Sequence, residues 1–160
     1  MSLNEALLEK LAKWRLTSGR ASLSATDRAS GWTATVTADE ANTLSCLVWE
    51  LNLQRRRTAD EASSEDLRKW AERLAVRATG LLENLCVVEI DVLRRQALLR
   101  SQQPAQRGDE VFYYEVLLTG TEEALLRRYR AWLNNGRREP VAFPVTNEAL
   151  AKLVSDLIGD

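Results

Sequence analysis

The chain has no histidine among its 160 residues, and it carries only one methionine, two cysteines and three prolines. Histidine is the only side chain whose unperturbed pKa lies near neutral pH, and it is the commonest general acid–base group and transition-metal ligand. Its absence removes Ser-His-Asp and Cys-His catalysis, HExxH metalloproteases and histidine-containing zinc sites together. No glycine-rich phosphate loop, CxxC pair or Gly-x-Ser-x-Gly elbow is present either. The sequence therefore assigns no catalytic residue, no metal ligand and no cofactor. No apolar run approaches the roughly 18 residues of a membrane span. The start, MSLNEALLEK, reads as a helix and lacks the basic-then-apolar layout of a secretory leader.

Charge of either sign in excess is also missing: 22 basic and 23 acidic residues leave a net charge of −1. Such a chain has no long-range field to draw it to nucleic acid or to an anionic membrane. The basic residues are almost all arginine. Only Lys10, Lys13, Lys69 and Lys152 depart from this. Arginine serves bidentate anion recognition, but a scatter over the whole length fits genomic composition and ordinary surface charge better. Cys46 and Cys86 sit in apolar stretches and read as small buried hydrophobes in a reducing compartment, so a cytoplasmic location is expected.

What the chain does have is periodicity. Leu3, Leu7, Leu11 and Trp14 recur at helical spacing. Three strands then alternate: Ala21, Leu23 and Ala25 against Ser22 and Ser24; Trp32, Ala34, Val36 and Ala38 against Thr33, Thr35 and Thr37; and Leu47, Trp49, Leu51 and Leu53 against Glu50, Asn52 and Gln54. A polar connector from Arg55 to Ala62 leads to a second helix, capped by Ser63 or Ser64. Its apolar stripe runs through Leu67, Trp70, Leu74 and Ala78 to Leu82. Cys86, Val88 and Ile90 alternate with Val87, Glu89 and Asp91, and a turn near Leu93–Gln96 brings the chain back through Ala97–Arg100. Ser101–Glu110 is the longest polar loop signal.

Val111–Thr119 is a strand with Phe112, Tyr114, Val116 and Leu118 on one face. Residues 121–136 carry both helix caps and hairpin turns. Strand neighbours on both sides favour a strand, with Leu125, Tyr129, Ala131 and Leu133 inward and Arg128 and Arg130 outward. Val141, Phe143 and Val145 form a last strand, and Thr146 caps a helix with the stripe Leu150, Leu153, Val154, Leu157. The expected fold is one α+β domain over 1–160. It has a largely antiparallel sheet with three helices mainly on one face, in the order α-βββ-α-ββ-β(β)β-α.

Each candidate site has a plainer reading beside it. Glu89 and Asp91 share a strand face and suit acid–base work, but a solvated strand face explains them far better. Arg55–Arg57, Arg94–Arg95, Arg127–Arg130 and Arg137–Arg138 suit phosphate or RNA, yet acids lie near several of them. Arg107-Gly108-Asp109 is a glycine turn with flanking charges. All five tryptophans fall on apolar faces and read as core. Leu44, Cys46 and Val48 lie opposite Leu47 and Trp49, and Val87 is similarly placed, so these strands are apolar on both sides and need cover from a helix, a second sheet or another subunit. With the outward Tyr113, the residues Leu44, Cys46, Val48 and Val87 form the candidate interface.

The element order from Leu3 to Leu99, together with the final helix, resembles the bacterial type III secretion chaperone-like fold. That resemblance implies a small cytoplasmic homodimer binding extended protein segments through apolar patches; it transfers no residue. The expected function is a non-catalytic protein-binding module, a homodimeric chaperone or adaptor. A carboxylate- and arginine-based small-ligand protein or enzyme, and an arginine-based RNA or anion binder, are the alternatives.

Overall fold

The computed structural model describes residues 1–56 and 64–159. Among these the elements run α1 (Leu3–Lys13), β1 (Ala21–Thr26), β2 (Trp32–Ala41), β3 (Ser45–Arg55), α2 (Ser64–Arg77), β4 (Leu85–Asp91), β5 (Gln96–Ser101), β6 (Ala105–Arg107), β7 (Glu110–Thr119), β8 (Glu123–Trp132), β9 (Arg138–Val141), β10 (Phe143–Thr146) and α3 (Asn147–Ile158). All ten strands join one antiparallel sheet whose main path is β1-β2-β3-β8-β7-β5-β4. The α+β class and the element order follow the sequence reading. Within 121–136 the structure has a strand, Glu123–Trp132, flanked by turns, as its neighbours suggested. The short β6 and the division of the last strand at Ala142 are additional.

The sheet forks where β3 and β8 part. Leu51–Gln54 pair with Glu123–Leu126. Farther along, β3 pairs with β10, and β8 pairs with β9. The two short strands fill the gap, and Pro140 and Pro144 sit within them, where the ladders are brief.

The three helices cover one face. Leu3, Leu7 and Leu11 of α1 are fully buried, as are Leu150 and Val154 of α3; each such leucine contributes about 2 kcal/mol through burial. The helix ends follow local chemistry. Glu5 accepts the Ser2 amide at 3.2 Å, Thr146 Oγ1 accepts the Ala149 amide at 3.1 Å, and Gly159 ends α3 at φ 84°. Asn147, 3% exposed, donates to the Asn42 and Thr43 carbonyls and ties the start of α3 to the β2–β3 turn. Trp70 of α2 packs on Trp32 with centroids 5.9 Å apart and donates to the Leu157 carbonyl at 2.8 Å.

Several facings differ from the simple alternation. In β3 the register skips Trp49, so Cys46, Val48, Leu51 and Leu53 all face the helices, while Trp49 falls on the other side. The cause is a β-bulge, which inverts the alternation beyond it. A second bulge, at Val88, puts Leu85, Val87 and Ile90 on the helix side and leaves Val88 half exposed. In β8 the expected facing is reversed. Ala124, Leu126 and Arg128 point to the helices, because pairing with β3 and β7 fixes the register from Ala124 onward. Helix α2 stops at Arg77, leaving Leu82 exposed in the connection that follows, and Leu133 is likewise exposed. Of the expected caps of α2, Ser63 lies outside the described residues, as do positions 57–62 of the connector.

Candidate functional site

Among the described residues no helix covers the face of the sheet opposite α1–α3, although Glu115 and Tyr129 on it are only 7% and 8% exposed, beneath Arg100 and Arg138. Antiparallel register arranges its side chains in rows crossing the strands. One row is Arg100–Glu115–Arg127, continued by Glu50 on β3, Thr37 on β2 and Ser22 on β1. The next is Leu98–Leu117–Leu125–Asn52–Thr35–Ser24. Tyr113 and Tyr129 form a shorter row on the other side of the charged one.

The two halves of this face differ in chemistry. Over β1 and β2 it is a hydroxyl ladder: Ser22 with Thr37 and Ser24 with Thr35 at 2.8 Å, and Thr26 with Thr33 at 3.0 Å. At its border Arg20 bonds Asp39 and lies 3.6 Å from the centre of the Trp49 ring. Trp49 is thus not a core residue, as its strand had suggested; it is half-buried under a cation.

Over β5, β7 and β8 the face is leucine, tyrosine and paired charge. Tyr113 stacks on Tyr129 with centroids 5.9 Å apart. Arg138 lies 4.0 Å over Tyr129 and donates to the Tyr113 hydroxyl at 3.2 Å and to Glu115 at 3.0 Å. Arg100 donates to the same Glu115 oxygen at 2.9 Å, and Arg127 to Glu50 at 2.9 and 2.5 Å. Partial burial opposes the charge on Arg138, but its bonds to Tyr113 and Glu115 outweigh that and hold its pKa above the ordinary range. Arg138 is therefore a cation held in one orientation by Tyr113, Tyr129 and Glu115.

The expected interface set divides. Tyr113 is on the open face. Leu44 is 76% exposed in the β2–β3 turn. Cys46 and Val48, at 3% and 0% exposure, lie under the helices, and Val87 packs half-buried against the same core. Cover for these three comes from within the chain. Leu98, Leu117, Leu125 and Tyr129 were not singled out from the sequence as interface residues; the hairpin register of β7 and β8 was the missing signal.

Glu89 and Asp91 do share the open face, beside Arg94 in a recess of about 150 Å³, smaller than the roughly 300–1,000 Å³ of small-molecule sites. Tyr113 does not join them. Arg107-Gly108-Asp109 forms the tight β6–β7 turn, with Gly108 at φ 61°. Among the described residues, no three His, Cys, Asp or Glu side chains gather as a metal site, and no helix is long and apolar enough to cross a membrane. No protein-family model matches this chain, and no curated protein or solved structure matches it significantly.

Proposed function

We propose that this chain is a non-catalytic protein-binding module that works as a homodimer, with the open faces of two sheets packed together. One observation carries the reading: the residues of this face are self-complementary about a line between β7 and β8. A two-fold axis in the interface, running along the strands there, sets each position of β7 against the partner's β8 and each position of β5 against the partner's β3. Glu115 then meets Arg127 of the second copy, and Arg100 meets Glu50. Leu117 meets Leu125 in the adjoining row, and Tyr113 meets Tyr129. These appositions pair opposite charges, leucine with leucine or ring with ring, while Leu98 at the end of its row meets Asn52. Two-fold interfaces require this self-matching, and opposed charge suppresses wrong registers.

The size also suits a dimer. Five strands spaced at about 4.8 Å and about ten residues long at 3.3 Å each give a face of roughly 800 Å², the area each partner contributes to a standard interface. Tyrosine and arginine, which dominate this face, are the residues enriched at interface hot spots. Aligned packing of two twisted sheets at about −30° keeps the rows opposite one another near the axis.

Light scattering after size exclusion tests this. The expected mass is about twice 18.0 kDa. Leu125→Arg, which sets a cation against the partner's Leu117, is expected to yield a monomer with an unchanged far-ultraviolet circular dichroism spectrum. A wild-type monomer, or a dimer that folded Leu125→Arg leaves intact, would overturn the proposal.

A further inference from the structure

The hydroxyl ladder of β1 and β2 lies beyond β3 on one side of the open face, and Glu89 and Asp91 of β4 lie beyond β5 on the other. Both fall on the same rows. Cys86 stands beside Arg100, Glu89 beside Leu98 and Asp91 beside Gln96. On β2, Thr37 stands beside Glu50, Thr35 beside Asn52 and Thr33 beside Gln54. The third of these rows, Asp91–Gln96–Thr119–Glu123–Gln54–Thr33, also matches itself about the line between β7 and β8. Thr119 meets Glu123 there, and Gln96 meets Gln54, hydroxyl with carboxylate and amide with amide.

The outer strands are complementary in chemistry. Each bond of the ladder joins two hydroxyls and uses one of their two protons, so every pair keeps one O–H to donate. The pairs recur at every second residue, about 6.7 Å apart along the strand. β4 presents acceptors at the same interval. Glu89 is exposed and has no hydrogen-bond or ion-pair partner among the described residues. Asp91 Oδ1 accepts the Arg94 amide at 3.0 Å, while its Oδ2 is 3.9 Å from the Arg94 guanidinium, outside hydrogen-bond reach.

We infer that the hydroxyl ladder is the docking site for β4 of the second copy. This docking rests on the two-fold arrangement proposed above, which carries β4 over the partner's β2 as it carries β5 over the partner's β3. Glu89 and Asp91 accept from the hydroxyl pairs at the partner's Thr35 and Thr33, and Cys86 faces the partner's Thr37. Hydroxyl donors hold a carboxylate by directed, charge-assisted bonds. The relative rotation of two packed sheets displaces rows that lie far from the axis. Three hydroxyl pairs facing two carboxylates accommodate a displacement of one step toward Thr37. The symmetry applies the contact twice, once at each rim of the dimer.

Cross-linking with a short bis-maleimide tests this. Within one chain β4 and β2 are separated by five steps of the sheet, about 24 Å, so the reagent cannot join them. The two-fold axis puts the two copies of Cys86 at opposite rims, equally far apart, and Cys46 is buried. Thr37→Cys and Thr35→Cys are made separately, and at least one is expected to give a covalent dimer through Cys86. Wild type, and either change combined with Cys86→Ser, are expected to give none. Glu89→Ala with Asp91→Ala is expected to weaken dimerisation at least about tenfold in sedimentation velocity, because bonds to both carboxylates are lost at both rims. Circular dichroism checks the fold of each variant. A protein that is dimeric by mass but cross-links from neither position, or whose dimerisation the double change leaves intact, would overturn the inference and leave the dimer standing. A wild-type monomer would overturn both.

Discussion

Arg127 and Arg128 are consecutive on β8 and point to opposite sides of the sheet. Both bond a glutamate in two places. Arg127 meets Glu50 with the two side chains 34% and 24% exposed. Arg128 meets Glu83 at 3.0 and 3.4 Å with the side chains 9% and 10% exposed. Around the second pair the interior supplies what water supplies to the first. Ser101 donates to Glu83 at 3.0 Å while accepting the Tyr114 amide at 2.8 Å, and the Arg128 guanidinium lies 4.3 Å from the Tyr114 ring centre. Burial pushes the Tyr114 hydroxyl pKa up, with Arg128 opposing the shift. The same two residue types thus play different parts. On the open face the pair orients a side chain; on the helix side it fastens the connection after α2, which carries Glu83, to the middle of the sheet.

The largest effect that would sharpen this comparison is on stability. Glu83→Ala leaves Arg128 buried and unpaired, and about 3–5 kcal/mol of unfolding free energy is expected to be lost. Replacing both partners, Glu83→Leu with Arg128→Met, should recover most of it, because removing both charges also removes the desolvation cost. Urea denaturation measures both. If Glu83→Ala proved as mild as a change on the open face, the distinction between the two pairs would collapse.

The cysteines make the same contrast by a different chemistry. Cys46 lies on the helix side, 3% exposed, donating to Asn147 Oδ1 at 3.4 Å. Burial pushes its thiol up from near 9 to about 11. Cys86 is on the open face, opposite Arg100 and partly accessible. A thiol reagent at about pH 8 is expected to label Cys86 in the native chain and Cys46 only after unfolding. The raised pKa also fixes a sign. Between pH 9 and 11 the unfolded thiol has lost its proton and the folded one retains it, so stability falls as pH rises through that window. The loss is on the order of 2–3 kcal/mol. Cys46→Ala should abolish this part of the pH dependence while adding a pH-independent packing cost. Native labelling of both cysteines at equal rates would remove the contrast.

Much of the covered side was legible in the sequence because burial imposes period on composition. Leu3, Leu7 and Leu11 of α1, the stripe of α3, the Trp32–Ala38 alternation and Tyr114–Val116–Leu118 stand where their spacing put them, while Trp14, read into the first stripe, lies just past the end of α1 in extended backbone. The bulges at Trp49 and Val88 escaped, since one extra residue leaves no compositional trace yet inverts the facing on one side of it. Arg128 escaped because an inward charge is readable only from its partner, and Glu83 is 45 positions away in the chain. The open face escaped for a related reason. Leu98, Leu117 and Leu125 form a row only once three strands are in register, and no local pattern contains that information.

The smallest expected stability effect carries the most discrimination. Arg127→Ala removes a pair about a third exposed, so the loss of unfolding free energy should be at most about 1 kcal/mol once solvent screening is counted. If the two-fold arrangement holds, the same change also deletes the cation facing the partner's Glu115 twice per dimer, and dimerisation is expected to weaken by about tenfold at low salt. Because this charge apposition lies beside the two-fold axis, away from the rim, raising the salt should narrow the gap between wild type and variant only modestly. Sedimentation velocity across a dilution series separates the two quantities. A residue that matters little to the monomer and measurably to the dimer belongs to a surface arranged for contact; one that matters equally little to both belongs to a face arranged only for water.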